Sequence, residues 1–99
     1  MANYILTNKA VEDLSTIWDY TLEVWSEAQA DKYYNMLLSS CQDLAYSRVF
    51  GKHYPEISKE IFGFRTGQHI IFYRQLKSNK IEVARILHSR MDLKNRIQE

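Results

Sequence analysis

Thiols, prolines and glycines are scarce in this chain, and each scarcity closes off a class of protein. The single cysteine, Cys41, excludes an internal disulfide and every zinc pattern built from several cysteines, which fits a reducing compartment. One proline and three glycines in 99 residues, with 45% hydrophobic and 25% charged side chains, argue for a folded soluble domain and against disorder or low complexity. No apolar run approaches the roughly 18 residues that span a bilayer, and Asn3 and Asn8 interrupt the start, so a cytoplasmic protein without a membrane partner is expected. Also missing are a Gly-rich phosphate loop, a Gly-x-Ser-x-Gly elbow and a His-Glu-x-x-His pair. With Cys41 distant from the histidines and better read as a core thiol, no metal site and no cofactor are expected.

The length bounds what is present to one domain over residues 1–99, able to bury roughly 60 to 70% of its unfolded surface. Its charge is unevenly spread. Residues 1–49 carry three basic and seven acidic side chains, a net of −4, and residues 50–99 carry ten and five, a net of +5. The second half could attract an acidic partner, although solvated surface charge accounts for it equally well and the pI of about 7.9 is low for a nucleic-acid binder.

Tyr4-Ile5-Leu6-Thr7 is a β-prone run, and Thr7 or Asn8 can cap the helix that follows. From Ala10 to Trp25 the residues Ala10, Leu14, Ile17, Thr21 and Val24 share one helical face. Ser26-Glu27-Ala28-Gln29 has the form of a capping box and predicts a second helix to about Tyr46, with Ala30, Tyr33, Leu37, Cys41 or Ser40, and Leu44 on its apolar stripe. The near absence of a linker predicts an antiparallel helical hairpin. Trp18 and Trp25 read as packing anchors, or as interface residues if exposed. Arg48 to Lys59, with Gly51 and Pro55, reads as a loop. Strands are expected at about 60–65, 68–77 and 80–88, with Thr66-Gly67 and Ser78-Asn79 as two-residue turns. The predicted class is α+β, in the order β-α-α-β-β-β, with the helical hairpin on one face of a small, mostly antiparallel sheet.

Two-residue turns would pair 64 with 69 and 62 with 71, then 71 with 86 and 69 with 88, placing His69 opposite His88. One sheet face then gathers Phe62, Phe64, His69, Ile71, Tyr73, Ala84, Ile86 and His88. The other gathers Ile61, Arg65, Ile70, Phe72, Arg74, Val83, Arg85 and Leu87. The hairpin can cover one face only, so the second is expected to stand open to a partner. The alternative is that the loop 48–59 and the tail 89–99 fold over it.

His69, His88 and Arg90, with Arg65 nearby, could move a proton and stabilise a pentavalent phosphate, as metal-independent RNA cleavage requires. The same residues fit a purely structural role: a hydrogen-bonded cross-strand histidine pair, with the arginines meeting Glu60, Glu82 or Asp92.

Tyr4-Ile5-Leu6-Thr7, Ala10-x-x-Asp13-Leu14, Ile17, Tyr20, Trp25 with Gln29-Ala30 and Tyr33, Arg65, His69-Ile70-Ile71-Phe72-Tyr73 and Ile86-Leu87-His88-x-Arg90-Met91-Asp92-Leu93 together resemble ParE-type toxins of the RelE/ParE superfamily. The resemblance runs through essentially the whole chain and is most specific in the Ile-Leu-His-x-Arg-Met-Asp segment. It implies a bacterial toxin of a type II toxin–antitoxin system that poisons DNA gyrase by binding, with no catalytic residues. It also implies a hetero-oligomer with a ParD-like antitoxin. The antitoxin's ribbon-helix-helix dimer would bind operator DNA, so this chain needs no sequence-specific DNA contact of its own, and a C-terminal antitoxin segment would wrap the toxin. On this reading Arg65, Ile70, Phe72, Arg74, Val83 and Arg85 meet the antitoxin, and His88, Arg90, Met91 and Asp92 meet gyrase. The RelE-like branch, ribosome-dependent mRNA endonucleases of the same fold, is the alternative, with His69, His88 and Arg90 as its catalytic candidates. Its members usually carry a catalytic tyrosine near the C-terminus, whereas the last tyrosine here is Tyr73.

Overall fold

Thr7 ends the first strand and starts the first helix. Its extended backbone (φ −68°, ψ 163°) lets the hydroxyl accept from the Ala10 amide while also donating to the Ala84 carbonyl at 2.8 Å. One side chain thus ties the helix start to the last strand. The computed structural model describes residues 3–77 and 79–90. They form β1 (Asn3–Leu6), α1 (Asn8–Val24), α2 (Glu27–Ala45), β2 (Lys52–His53), β3 (Phe62–Thr66), β4 (His69–Lys77) and β5 (Lys80–His88). Met91 and Asp92 lie outside the described residues.

Ser26 is the cap between the helices, its hydroxyl accepting from the Gln29 amide at 3.1 Å, as the capping box predicts. Trp18 of α1 donates its indole N–H to Asp31 of α2 at 3.0 Å, the cross-hairpin contact of two antiparallel helices. The sheet order is β1-β5-β4-β3-β2, antiparallel except for β1, which runs parallel to its neighbour β5. The hairpin covers one face. Ala10, Leu14 and Ile17 of α1 and Leu37, Cys41, Leu44 and Ala45 of α2 pack with Ile71, Tyr73, Ile81, Val83 and Ile86. Burial pushes the Cys41 thiol up to about 12, consistent with an unreactive core side chain.

The other face is closed too, which corrects the expectation of an open one. Ile61, Ile70, Phe72 and Leu87 form a second buried cluster, roofed by Tyr54 and Ile57 from the segment expected to be a loop. That segment supplies the two-residue strand β2, pairing Lys52 with Gly63 and His53 with Phe62. Tyr54 crosses onto Phe72 edge-to-face at 5.3 Å. Gly63 makes the crossing feasible, since a Cβ there would fall 2.7 Å from the Tyr54 ring and 2.9 Å from Ile70.

Two register differences have local causes. The β3–β4 turn is Gly67-Gln68 rather than Thr66-Gly67: Thr66 pairs with His69 and Phe64 with Ile71. Gly67 has φ +59° and is the first central residue, the position where a type II′ turn wants glycine. The slip is two residues, so Phe62, Phe64, Ile71 and Tyr73 still share a face. Between β4 and β5 the register runs as expected from His69–His88 to Phe72–Arg85. An irregularity between Phe72 and Tyr73 then sets Tyr73 against Val83. Val83 therefore joins the core under the helices, and Ala84 packs with the far-face cluster, the reverse of the predicted sides.

Candidate docking site

Helix α1 outruns the sheet it packs on. Its apolar stripe is buried through Ile17, but Val24 is exposed, Tyr20 is 64% exposed and Trp25 is 73% exposed. Trp25 is therefore an interface candidate and not a packing anchor. The overhang faces the end of the β4–β5 hairpin, where His69 and His88 stand opposite one another. Ser89 donates its amide to the Gln68 carbonyl at 3.0 Å, which makes the adjacent His69–His88 pair a non-hydrogen-bonded one, with the side chains at closest approach. The rings meet edge-to-face with centroids 5.3 Å apart.

Three adjoining hollows share these two histidines. One of about 360 Å³ is lined by Thr16, Ile17, Tyr20, His69, His88 and Arg90. The second, of about 340 Å³, extends toward Trp25, Gln29, Tyr33 and Gln68, and the third, of about 180 Å³, reaches Asp13 and Arg85. Together they make a trough between the α1 overhang and the sheet end, walled by apolar and aromatic groups and floored by the histidines.

The floor is held by hydrogen bonds. Tyr33 of α2 places its hydroxyl 2.6 Å from His69 Nδ1 and accepts the Gln68 amide at 3.0 Å. The Arg90 amide donates to His88 Nδ1 at 3.1 Å. No hydrogen bond joins the two histidines themselves, unlike the predicted pair. Burial, then the neighbouring His88, pushes His69 down to about 4, with Asp13 pulling weakly the other way. His69 is a neutral imidazole at physiological pH.

Asp13 guards one end of the trough. Its carboxylate takes a two-pronged bond from Arg85, at 2.8 and 3.0 Å, and the Ile86 amide at 3.0 Å, with both charged side chains 13% exposed. β1 stops at Leu6, opposite Val83, so the Ile86 N–H would otherwise sit on a bare strand edge. Asp13 is the substitute for the missing strand.

The predicted site residues divide accordingly. His69, His88 and Arg90 come together at the trough. Of the residues expected to meet an antitoxin, Phe72 and Val83 are fully buried and Ile70 is 6% exposed, so they are core. Arg85 is committed to Asp13, and Arg74 pairs with Glu82 at 2.7 Å and Glu60 at 3.6 Å, two of the acids expected to neutralise it. Arg65 is exposed and folds back on the Gly67 carbonyl at 3.4 Å. Asp13, Thr16, Ile17, Tyr20, Trp25 and Tyr33 had no assigned role in the site. The 13-16-17-20 spacing is a helical-face signal that could have grouped the first four.

The matches to known proteins agree with this architecture. A family model described as the ParE toxin of the type II toxin–antitoxin system parDE matches residues 4–93. The chain belongs to the ParE toxin family. Toxin ParE1 of Mycobacterium tuberculosis is 33% identical over 92 residues, covering 93% of this chain and 94% of that protein. Toxin ParE of Escherichia coli is 32% identical over 99 residues, covering 100% and 96%. A solved chain of the chromosomal ParDE system from P. aeruginosa superposes with a TM-score of 0.71 at 20% identity, over 89% of this chain and 96% of its own, which shows a shared fold. Among the described residues of this ParE-family chain, no helix is long and apolar enough to cross a membrane.

Proposed function

We propose that this chain acts as the toxin of a type II pair, arresting growth by binding DNA gyrase, and that a ParD-like antitoxin encoded beside it neutralises it in a hetero-oligomer. The observation that carries the reading is the match to the ParE family over residues 4–93. The toxin acts by occupying a surface and breaks no covalent bond itself. The gyrase-facing end is the β5 terminus, His88 and Arg90, continuing to Met91 and Asp92. It works in the cytoplasm, where gyrase and the antitoxin are.

The ribonuclease alternative is poorly served by the site. His69, held down near 4, has almost no protonated fraction at neutral pH with which to act as an acid. Tyr73, the last tyrosine, is 6% exposed with its hydroxyl accepting the Gly51 amide at 2.9 Å, so it cannot meet a substrate. The test is growth arrest on induction, followed by a supercoiling assay with purified gyrase. Loss of supercoiling with intact mRNA supports the proposal; cleavage of ribosome-bound mRNA that His88→Ala abolishes refutes it.

A further inference from the structure

We propose that the trough beside α1 is the seat of an acidic, apolar-faced segment of the antitoxin, with a carboxylate of that segment received by the Nε2–H groups of His69 and His88 and by the Arg90 guanidinium. The inference rests on the toxin–antitoxin reading above and adds the chemistry of the contact.

The tautomers argue for it. The Gln68 amide can only donate, so Tyr33 accepts from it and has its own proton to give to His69 Nδ1. With that proton given to Nδ1, the His69 proton sits on Nε2. The Arg90 amide likewise occupies His88 Nδ1 and places the His88 proton on Nε2. Two backbone amides, one acting through the Tyr33 hydroxyl, thereby set side by side two imidazoles of matched tautomer, both lining the trough with Arg90. Such a trio offers donors and positive charge, and its complement is an anion. Asp13 does not repel that anion strongly, because Arg85 already neutralises it.

The walls decide which anion. Ile17, Tyr20 and Trp25 present apolar and aromatic surface, and among the described residues lining the 360 Å³ hollow Arg90 alone carries a full positive charge. A nucleic acid is held by several phosphate contacts at once. An acidic peptide needs one charge contact and apolar side chains laid on Tyr20 and Trp25. Strand addition is blocked along the adjoining β5 edge, because Thr7 takes the Ala84 carbonyl and Asp13 the Ile86 amide. The segment therefore docks through side chains. Seated there it also covers His88 and Arg90, so neutralisation is direct occlusion of the gyrase-facing end.

The test uses the full-length toxin and a synthetic peptide of the C-terminal half of the neighbouring-frame antitoxin, titrated by calorimetry. Binding is expected to weaken about tenfold or more for His69→Ala with His88→Ala, and for a peptide with its Asp and Glu changed to Asn and Gln. The two losses should not add, since both remove the same contact. Tyr20→Ala, at a side chain too exposed to threaten folding, should weaken the native and neutralised peptides alike. Equal affinity of native and neutralised peptides, or displacement of the peptide by a short RNA at lower concentration than by free peptide, overturns the inference while the gyrase reading stands. Absence of any antitoxin binding overturns both.

Discussion

Asp13→Ala removes the carboxylate that closes the β5 edge. Three donors lose their acceptor: two guanidinium N–H groups of Arg85 and the Ile86 amide, at 2.8 to 3.0 Å. Removing one partner of a buried ion pair costs about 3–5 kcal/mol. The 13% exposure of Asp13 and Arg85 lets some water in, so the lower end, about 3 kcal/mol, is the expected loss. A domain of this length is stable by roughly 5–15 kcal/mol, and each kcal/mol lost lowers Tm by about 4–8 °C, so a fall of roughly 12–24 °C is expected. Urea melts followed by circular dichroism measure it, with Asp13→Asn falling between the wild type and Asp13→Ala. Arg85→Met and the double substitution complete a thermodynamic cycle, in which the double variant should recover part of the loss because no charge is stranded. A loss below about 1 kcal/mol for Asp13→Ala with an unchanged urea slope, or a cycle without coupling, would refute the view that Asp13 stands in for a strand.

Gly63→Ala forces a methyl group to within 2.7 Å of the Tyr54 ring and should cost about 1–3 kcal/mol, partly relieved by Tyr54→Ala in the same melts. Ser26→Ala removes the α2 cap and should cost about 1 kcal/mol, read as an earlier urea midpoint. In an NMR titration His69 should stay neutral until about pH 4, and His88→Gln should raise that midpoint by removing the neighbour that repels its charged form. Because its folded value lies below the ordinary 6.5, the native state binds fewer protons than the unfolded chain between those values. Stability therefore falls as pH drops from 6.5 toward 4, by about 1–2 kcal/mol once partial solvent exposure is discounted. Trp25→Ala should leave stability within about 0.5 kcal/mol, as expected of an exposed side chain, while weakening antitoxin binding in calorimetry.

Local signals were legible in the amino-acid order because they act over a few residues. Thr7 and Ser26 cap helices wherever they are placed, and the Ala10-Leu14-Ile17 and Leu37-Cys41-Leu44 stripes define one face of each helix. The ParE family was legible for the same reason, since its motifs are short runs of contiguous residues. Tertiary structure alone decided where those faces ended up. Alternation counts parity, and two offsetting irregularities, at Phe72/Tyr73 and Gln75/Lys77, reverse it between them, carrying Val83 inward while leaving His69 opposite His88, with no trace in the periodicity. The Tyr54 roof depends on a glycine nine residues away, and it turned an apparent docking face into a second core. The trough arises only because α1 is longer than the sheet beneath it, which leaves Tyr20 and Trp25 beside a histidine pair more than 40 residues distant in the chain. A helix face records which side is apolar; how far its support extends is set by strands that the helix meets only after folding.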